Sequence, residues 1–200
     1  MPTPSSRVRI HIHGHESADP QEVARYFGAT FTDVIESESE LAIFVVDPAA
    51  GISPETISLW QGLDDFQIPR MVVVTHLENQ VADFDDAVML ASRVFDQIVT
   101  PYLVLHDDAG FPCALISLET LEITDYSHNE HEVTMSTEEH QILVSEFRQE
   151  YLEQIASSGE NAFAAGLLFP AIPLWIEKEL GVNIIRQYID QIEKALPSSS

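Results

Sequence analysis

Positive charge is scarce in this 200-residue chain: nine Lys and Arg stand against 33 Asp and Glu, a formal net charge of −24. Such a surface repels nucleic-acid phosphate and anionic lipid. It therefore argues against direct nucleic-acid or membrane binding and favours a partner with a basic face. Cysteine is nearly absent. Cys113 stands alone, so no internal disulfide can form, which suits a reducing compartment. No apolar run approaches the roughly 20 residues needed to span a bilayer. The opening MPTPSSR has no long apolar region behind it, so it does not read as a secretion signal. The expectation is a soluble, cytoplasmic protein with frayed ends at MPTPSS and PSSS.

What the chain does have is enough apolar residue, 45%, to build a core in one ordinary domain with room for an inserted subdomain. Four runs, 41-LAIFVVD-47, 71-MVVVTH-76, 102-YLVLHD-107 and 167-LLFPAIP-173, have the continuous character of strands covered on both faces. Helix patterns lie between them. Ser53 and Pro54 make an N-cap and first-turn pair for a helix to about Asp64. Phe84, Val88, Ala91, Phe95 and Ile98 recur as one helical face. Ser136 and Glu139 have capping-box spacing before a long helix with Val144, Phe147, Tyr151 and Ile155 inward. Ile185, Tyr188, Ile189, Ile192 and Leu196 form a last stripe, closed by Pro197. Strand and helix in alternation imply an α/β fold with a mostly parallel sheet flanked by helices. The stretch 102–123 interrupts that plan as a hairpin turning at DDAG.

Ligands of open α/β sheets bind at the carboxyl ends of the strands. Those ends carry 13-HGH-15, Asp47 to Gly51, Thr75 to Glu78, 106-HDD-108 and Trp175. The glycine-bearing stretch 14-GHESADPQEV-23 follows the strand-like 7-RVRIHIH-13, where many α/β proteins hold phosphate.

The segment 43–79, with Asp47, Gly51, Ile52, Trp60, Pro69, Arg70 and the strand MVVVT, resembles the middle of a translational GTPase, elongation factor G in particular. The hairpin at 102–123 resembles the start of the extra subdomain that family inserts. The ending 181-GVNIIRQYIDQIEKALPS-198 resembles its closing turn and helix. The resemblance implies a P-loop-NTPase-like core at 1–98 and 159–200, with a small α+β insertion at 99–158.

Against that pattern the chain departs at each chemical box. Gly14 and His15 match the family's phosphate loop, but Asp19 falls on its second glycine, Pro20 on its lysine and Gln21 on the hydroxyl residue that ligates magnesium. Phosphate binding needs the lysine cation, inward backbone N–H groups and that hydroxyl. Pro20 removes the cation and one N–H donor. Asp19, with Glu16 nearby, adds negative charge; one such contact at about 4 Å costs roughly 4 kcal/mol at an effective dielectric near 20. The guanine box reads Thr75-His76-Leu77-Glu78, in which Glu78 keeps a carboxylate one methylene longer. The closing box falls on Trp175 and Ile176, where an indole would crowd the base. The span from Gly14 to the strand at 41 is too short for both switch segments, and there is no Asp-x-x-Gly-His. The expectation is that GTP and magnesium binding are lost, that the chain is not an enzyme, and that no cofactor is used.

Other readings stay open. His11 and His13 alternate on one strand face, and with His76 and Asp108 they could ligate a metal in a hydrolase. The plain alternative is a polar strand face shared with Arg7 and Arg9. Gly14, His15 and Glu78 could retain weak GTP or GDP binding. Trp175 could stack on a ligand or pack on the next helix. The stretch 36-ESESE-40 could chelate a cation or form a solvated turn. Cys113, in an apolar strand, reads as inert core. Glu138, Glu139, Glu146, Glu150 and Glu153 could form an acidic docking face or an ordinary solvent face. The resemblance implies a partner in the translation machinery, such as the ribosomal stalk. The expected role is a non-catalytic, pseudo-GTPase-like interaction module.

Overall fold

A computed structural model describes residues 8–197. The MPTPSS stretch, Arg7 and the last three serines lie outside the described residues. In chain order the first half gives β1 (Ile10–His13), α1 (Pro20–Phe27), β2 (Thr30–Phe31), β3 (Leu41–Val46), α2 (Pro54–Gly62), β4 (Arg70–Val74), α3 (Phe84–Val94) and β5 (Ile98–Val99). An antiparallel group follows: β6 (Tyr102–His106), β7 (Pro112–Ser117), β8 (Glu122–Asp125) and β9 (Glu132–Met135), with α4 (Glu138–Leu143) and α5 (Ser145–Ser158). The chain closes with β10 (Phe169–Pro173) and α6 (Val182–Ala195).

Six strands form one parallel sheet in the order β2-β1-β3-β4-β10-β5. β1, β3 and β4 are buried at every position, as continuous apolar runs require when helices flank a sheet. The two prolines of β10 are tolerated because its halves pair separately, Phe169 and Pro170 with β5, Ala171 to Pro173 with β4. Ser53 caps α2 by accepting from the Thr56 N–H, with Pro54 in the first turn. The order 2-1-3 places a topological switch between β1 and β3, where a crevice opens at the strand ends.

The second sheet, β6-β7-β8-β9, is antiparallel throughout. Ile116 and Leu118 pack with Val144 and Tyr151 in a small core of their own, while Leu115 and Tyr126 join the core of the parallel unit. So this sheet lies between its own helices and the parallel layer.

Several local expectations need correction. The strand read at 102–107, β6, pairs with β7 as the hairpin reading expects, but it is half-buried to exposed rather than covered on both faces. Ile98 is not on the α3 face; the helix ends at Val94, capped by Phe95, and Ile98 starts a strand beside β10. Thr137, not Ser136, caps the following helix, accepting from the His140 N–H, and the helix breaks at Val144. Phe147 faces outward, 53% exposed, while Val144 and Tyr151 are buried.

Candidate functional site

At the carboxyl end of β1 the chain turns at Gly14 into a short 3-10 turn, Glu16–Ala18. Asp19 then adopts a left-handed backbone, and Pro20 opens α1. A phosphate cradle needs free N–H groups pointing inward. Here the loop consumes three of them. His15 Nδ1 accepts from the Ser17 N–H at 3.2 Å, the His15 carbonyl accepts from Ala18 at 3.0 Å and the Glu16 carbonyl accepts from Asp19 at 3.1 Å. Pro20 has none to offer.

The side chain of Asp19 turns to the end of β4. His76, held at φ 53°, places Nε2 3.0 Å from Asp19 Oδ2 and Nδ1 3.2 Å from Asp47 Oδ2 at the end of β3. Both ring nitrogens can donate only in the charged imidazolium. Burial alone pulls the His76 pKa down, but hydrogen bonds to Asp47 and Asp19 and the charges of Asp47 and Glu78 outweigh it and leave it raised. Thr75, buried beside His76, donates to the Ala18 carbonyl at 3.0 Å. Three strand ends are thus stitched across the crevice by one imidazole between two carboxylates.

Beyond His76 lies a cleft of about 220 Å³ walled by Asp19, Glu22, Thr75, Glu78, Trp175 and Glu177. It is smaller than ordinary ligand pockets, roughly 300–1,000 Å³, and carries four carboxylates. Trp175 is half-buried against the main core, and the Lys178 ammonium sits 4.3 Å from its ring centre. Ile176 opens the adjoining 3-10 turn, and Gln21 is exposed in the first turn of α1.

The four residues of the metal reading are engaged separately. His11 Nε2 lies 3.5 Å from Glu36, the buried His13 donates from Nδ1 to the Thr32 carbonyl at 2.9 Å, His76 bridges two aspartates, and Asp108 is in the exposed hairpin turn. Among the described residues no group of three or more His, Cys, Asp or Glu is placed to hold a metal. Of 36-ESESE-40, Glu36 faces His11, and Glu38 and Glu40 meet Arg9. These contacts strap the segment 32–40 onto β1. Glu138, Glu139, Glu146, Glu150 and Glu153 are all exposed. Cys113 is half-buried, and burial pushes its thiol pKa up.

No family model matches this chain. Its sequence is similar to the elongation factor G-like protein of Mycobacterium tuberculosis, with 26% identity over 123 residues in each of two strains. That match covers 62% of this chain and 16% of the relative. Among solved structures, a Thermus thermophilus protein superposes with a TM-score of 0.66 at 25% identity, covering 81% of this chain and 27% of the other. The chain therefore spans a small part of each of these relatives. The two likenesses support a translation-factor-like domain. Among the described residues no helix is long and apolar enough to cross a membrane.

Sequence reasoning named Asp19 and His76 as separate departures and did not see that they meet. Asp47 was noted only as a matching position, yet it completes the bridge. The signal available was charge: an imidazole and two carboxylates at neighbouring strand ends. The capture of the Ser17 N–H by His15 was also missed, although a side-chain acceptor two residues back is a recognised turn pattern.

Proposed function

We propose that this chain is a translation-factor-like domain without nucleotide chemistry, a pseudo-GTPase that works by binding another protein. The observation that carries the reading is the Asp19–His76–Asp47 bridge, which occupies the mouth of the crevice with the protein's own ions. A triphosphate entering there would displace His76 from two carboxylates and then face both of them. Magnesium would find no hydroxyl ligand at Gln21. The N–H groups of Ser17, Ala18 and Asp19 are already bonded, which leaves fewer loop donors to offset these repulsions.

With a net charge of −24 and the exposed glutamates of α4 and α5, the partner has a basic surface. The likeness to elongation factor G-like proteins favours candidates in the translation machinery, the ribosomal stalk among them. The role is non-catalytic, in the cytoplasm, with no cofactor, nucleic acid or membrane bound directly. Titration calorimetry with millimolar GDP or GTP and magnesium tests the first half: no heat of binding is expected, and a 1:1 isotherm overturns it. Cross-linking in a cell extract tests the second half. Recovery of a basic translation component is expected, and recovery of none removes that partner class.

A further inference from the structure

β9 is the outer strand of the antiparallel sheet, paired with β8 alone among the described residues. The register identifies which of its backbone groups are spare. The Ser136 N–H bonds the Leu121 carbonyl, one step beyond the Glu122–Met135 pair. In an antiparallel ladder, bonded and non-bonded pairs alternate. Thr134 and Glu132 therefore bond β8, while the N–H and C=O groups of Val133 and Met135 point away from the sheet. The same alternation holds one strand over, where the Tyr126 N–H bonds the Cys113 carbonyl.

This edge carries little protection. Natural sheets blunt an open edge with proline, lysine, a bulge or a covering segment. Among the described residues β9 has only shortness and Glu132. Val133 and Met135 share one face of the strand and are 58% and 63% exposed. All four β9 residues are exposed.

Charge selects the occupant. From Glu119 to Phe147 the sequence holds eight Asp and Glu and no Lys or Arg. A second copy of this chain, pairing edge to edge, would bring Glu132 and its acidic neighbours against their like, with −24 on each molecule. An extended segment with alternating basic and apolar residues would instead set its cations on the face of Glu132, which Asp125 shares across the β8–β9 pair, and its apolar side chains on Val133 and Met135.

The geometry points to β9 as a strand-addition site for an extended basic segment of a partner protein, which would join the sheet as a fifth strand. This deepens the interaction reading above and rests on it, and it names the surface. Nucleotide binding would overturn the pseudo-GTPase reading without touching the measurement below.

The test is amide exchange by NMR on the whole chain, titrated with a nine-residue peptide of alternating lysine and valine. Exchange at Val133 and Met135 is expected to slow at least tenfold, with Thr134 unchanged because its N–H is already bonded. A glutamate–valine peptide is expected to have no effect. Val133→Pro removes an outward N–H and no internal ladder bond, so it should weaken the peptide at least tenfold with the thermal midpoint retained. Val133→Lys keeps the backbone and should weaken it too, by adding a like charge. Three results would overturn the proposal: no protection at millimolar peptide, binding by both variants as tight as the parent's, or a self-association in sedimentation that Val133→Pro abolishes.

Discussion

A methyl group added to Gly14 would lie 2.6 Å from the carbonyl oxygen of Val45 on the neighbouring strand β3. Gly14 also has φ 154°, a conformation that side chains resist. Packing of β1 against β3 therefore calls for glycine at position 14 in its own right. Gly14→Ala should destabilise the fold by about 3 kcal/mol, combining backbone strain with a clash against main chain. Urea unfolding measures it. A Gly14→Ala protein as stable as the parent would show that the loop is free to move, and with it the argument for a closed cradle would fall.

His76 gives a pH signature of one sign. Its folded pKa is raised above the ordinary 6.5, through the bonds to Asp47 and Asp19 that overcome the cost of burial. Its contribution is therefore complete below about pH 6.5 and fades as pH rises through the raised value. Asp19 is mostly exposed, which limits the size. His76→Ala should cost about 1 kcal/mol at pH 6 and much less at pH 9. Denaturation midpoints of both proteins at the two pH values provide the check; an equal gap at both would mean that the bridge is not ionic.

His13 gives the opposite sign. Burial lowers its pKa, only partly offset by the bond to the Thr32 carbonyl, so the neutral ring belongs to the folded state. Its stability is present above about pH 6.5 and is lost as pH falls toward the lowered value. His13→Leu keeps the volume, so at pH 7.5 it should cost about 1 kcal/mol for the lost hydrogen bond. That gap should close on acidification, since the leucine has no proton to take up. A gap that widens toward pH 5 would contradict the assignment of a neutral donor.

The central sheet was legible because burial on both faces writes itself as uninterrupted valine, leucine and isoleucine, as in β3 and β4. β2 and β5, two residues each, are too short for any period to register. β8 and β9 hide for another reason: EITD and EVTM are exposed or half-exposed and mix polar with apolar side chains. The 136–155 pattern reads through Val144 because periodicity is blind to a one-residue break between two helices. In the crevice, each departure from the phosphate-loop pattern could be read singly. Their mutual contact could not, since Asp19, Asp47 and His76 come together only through the order β1-β3-β4.

Trp60 and Arg70, two of the residues that carry the resemblance to translational GTPases, prove to be partners in the core. The Arg70 guanidinium lies 4.7 Å from the Trp60 ring centre and 4.6 Å from that of Phe169, donates to the Trp60 carbonyl at 2.8 Å, and meets Asp64 at 2.7 Å. Trp60 is itself fully buried, stacked on Phe95, with its indole N–H donating to Asp96 at 3.0 Å. A buried charge is tolerated when rings, a carbonyl and a carboxylate replace its water. Arg70→Ala removes all of these together and leaves a void, so it should cost about 3 kcal/mol or more. Arg70→Lys keeps the charge but replaces the planar guanidinium that faces the Trp60 and Phe169 rings with a compact ammonium, and about 2 kcal/mol is expected. Chemical denaturation of the two variants checks the order. If lysine proved as stable as arginine, the planar fit would be irrelevant, and this arginine would act by charge alone.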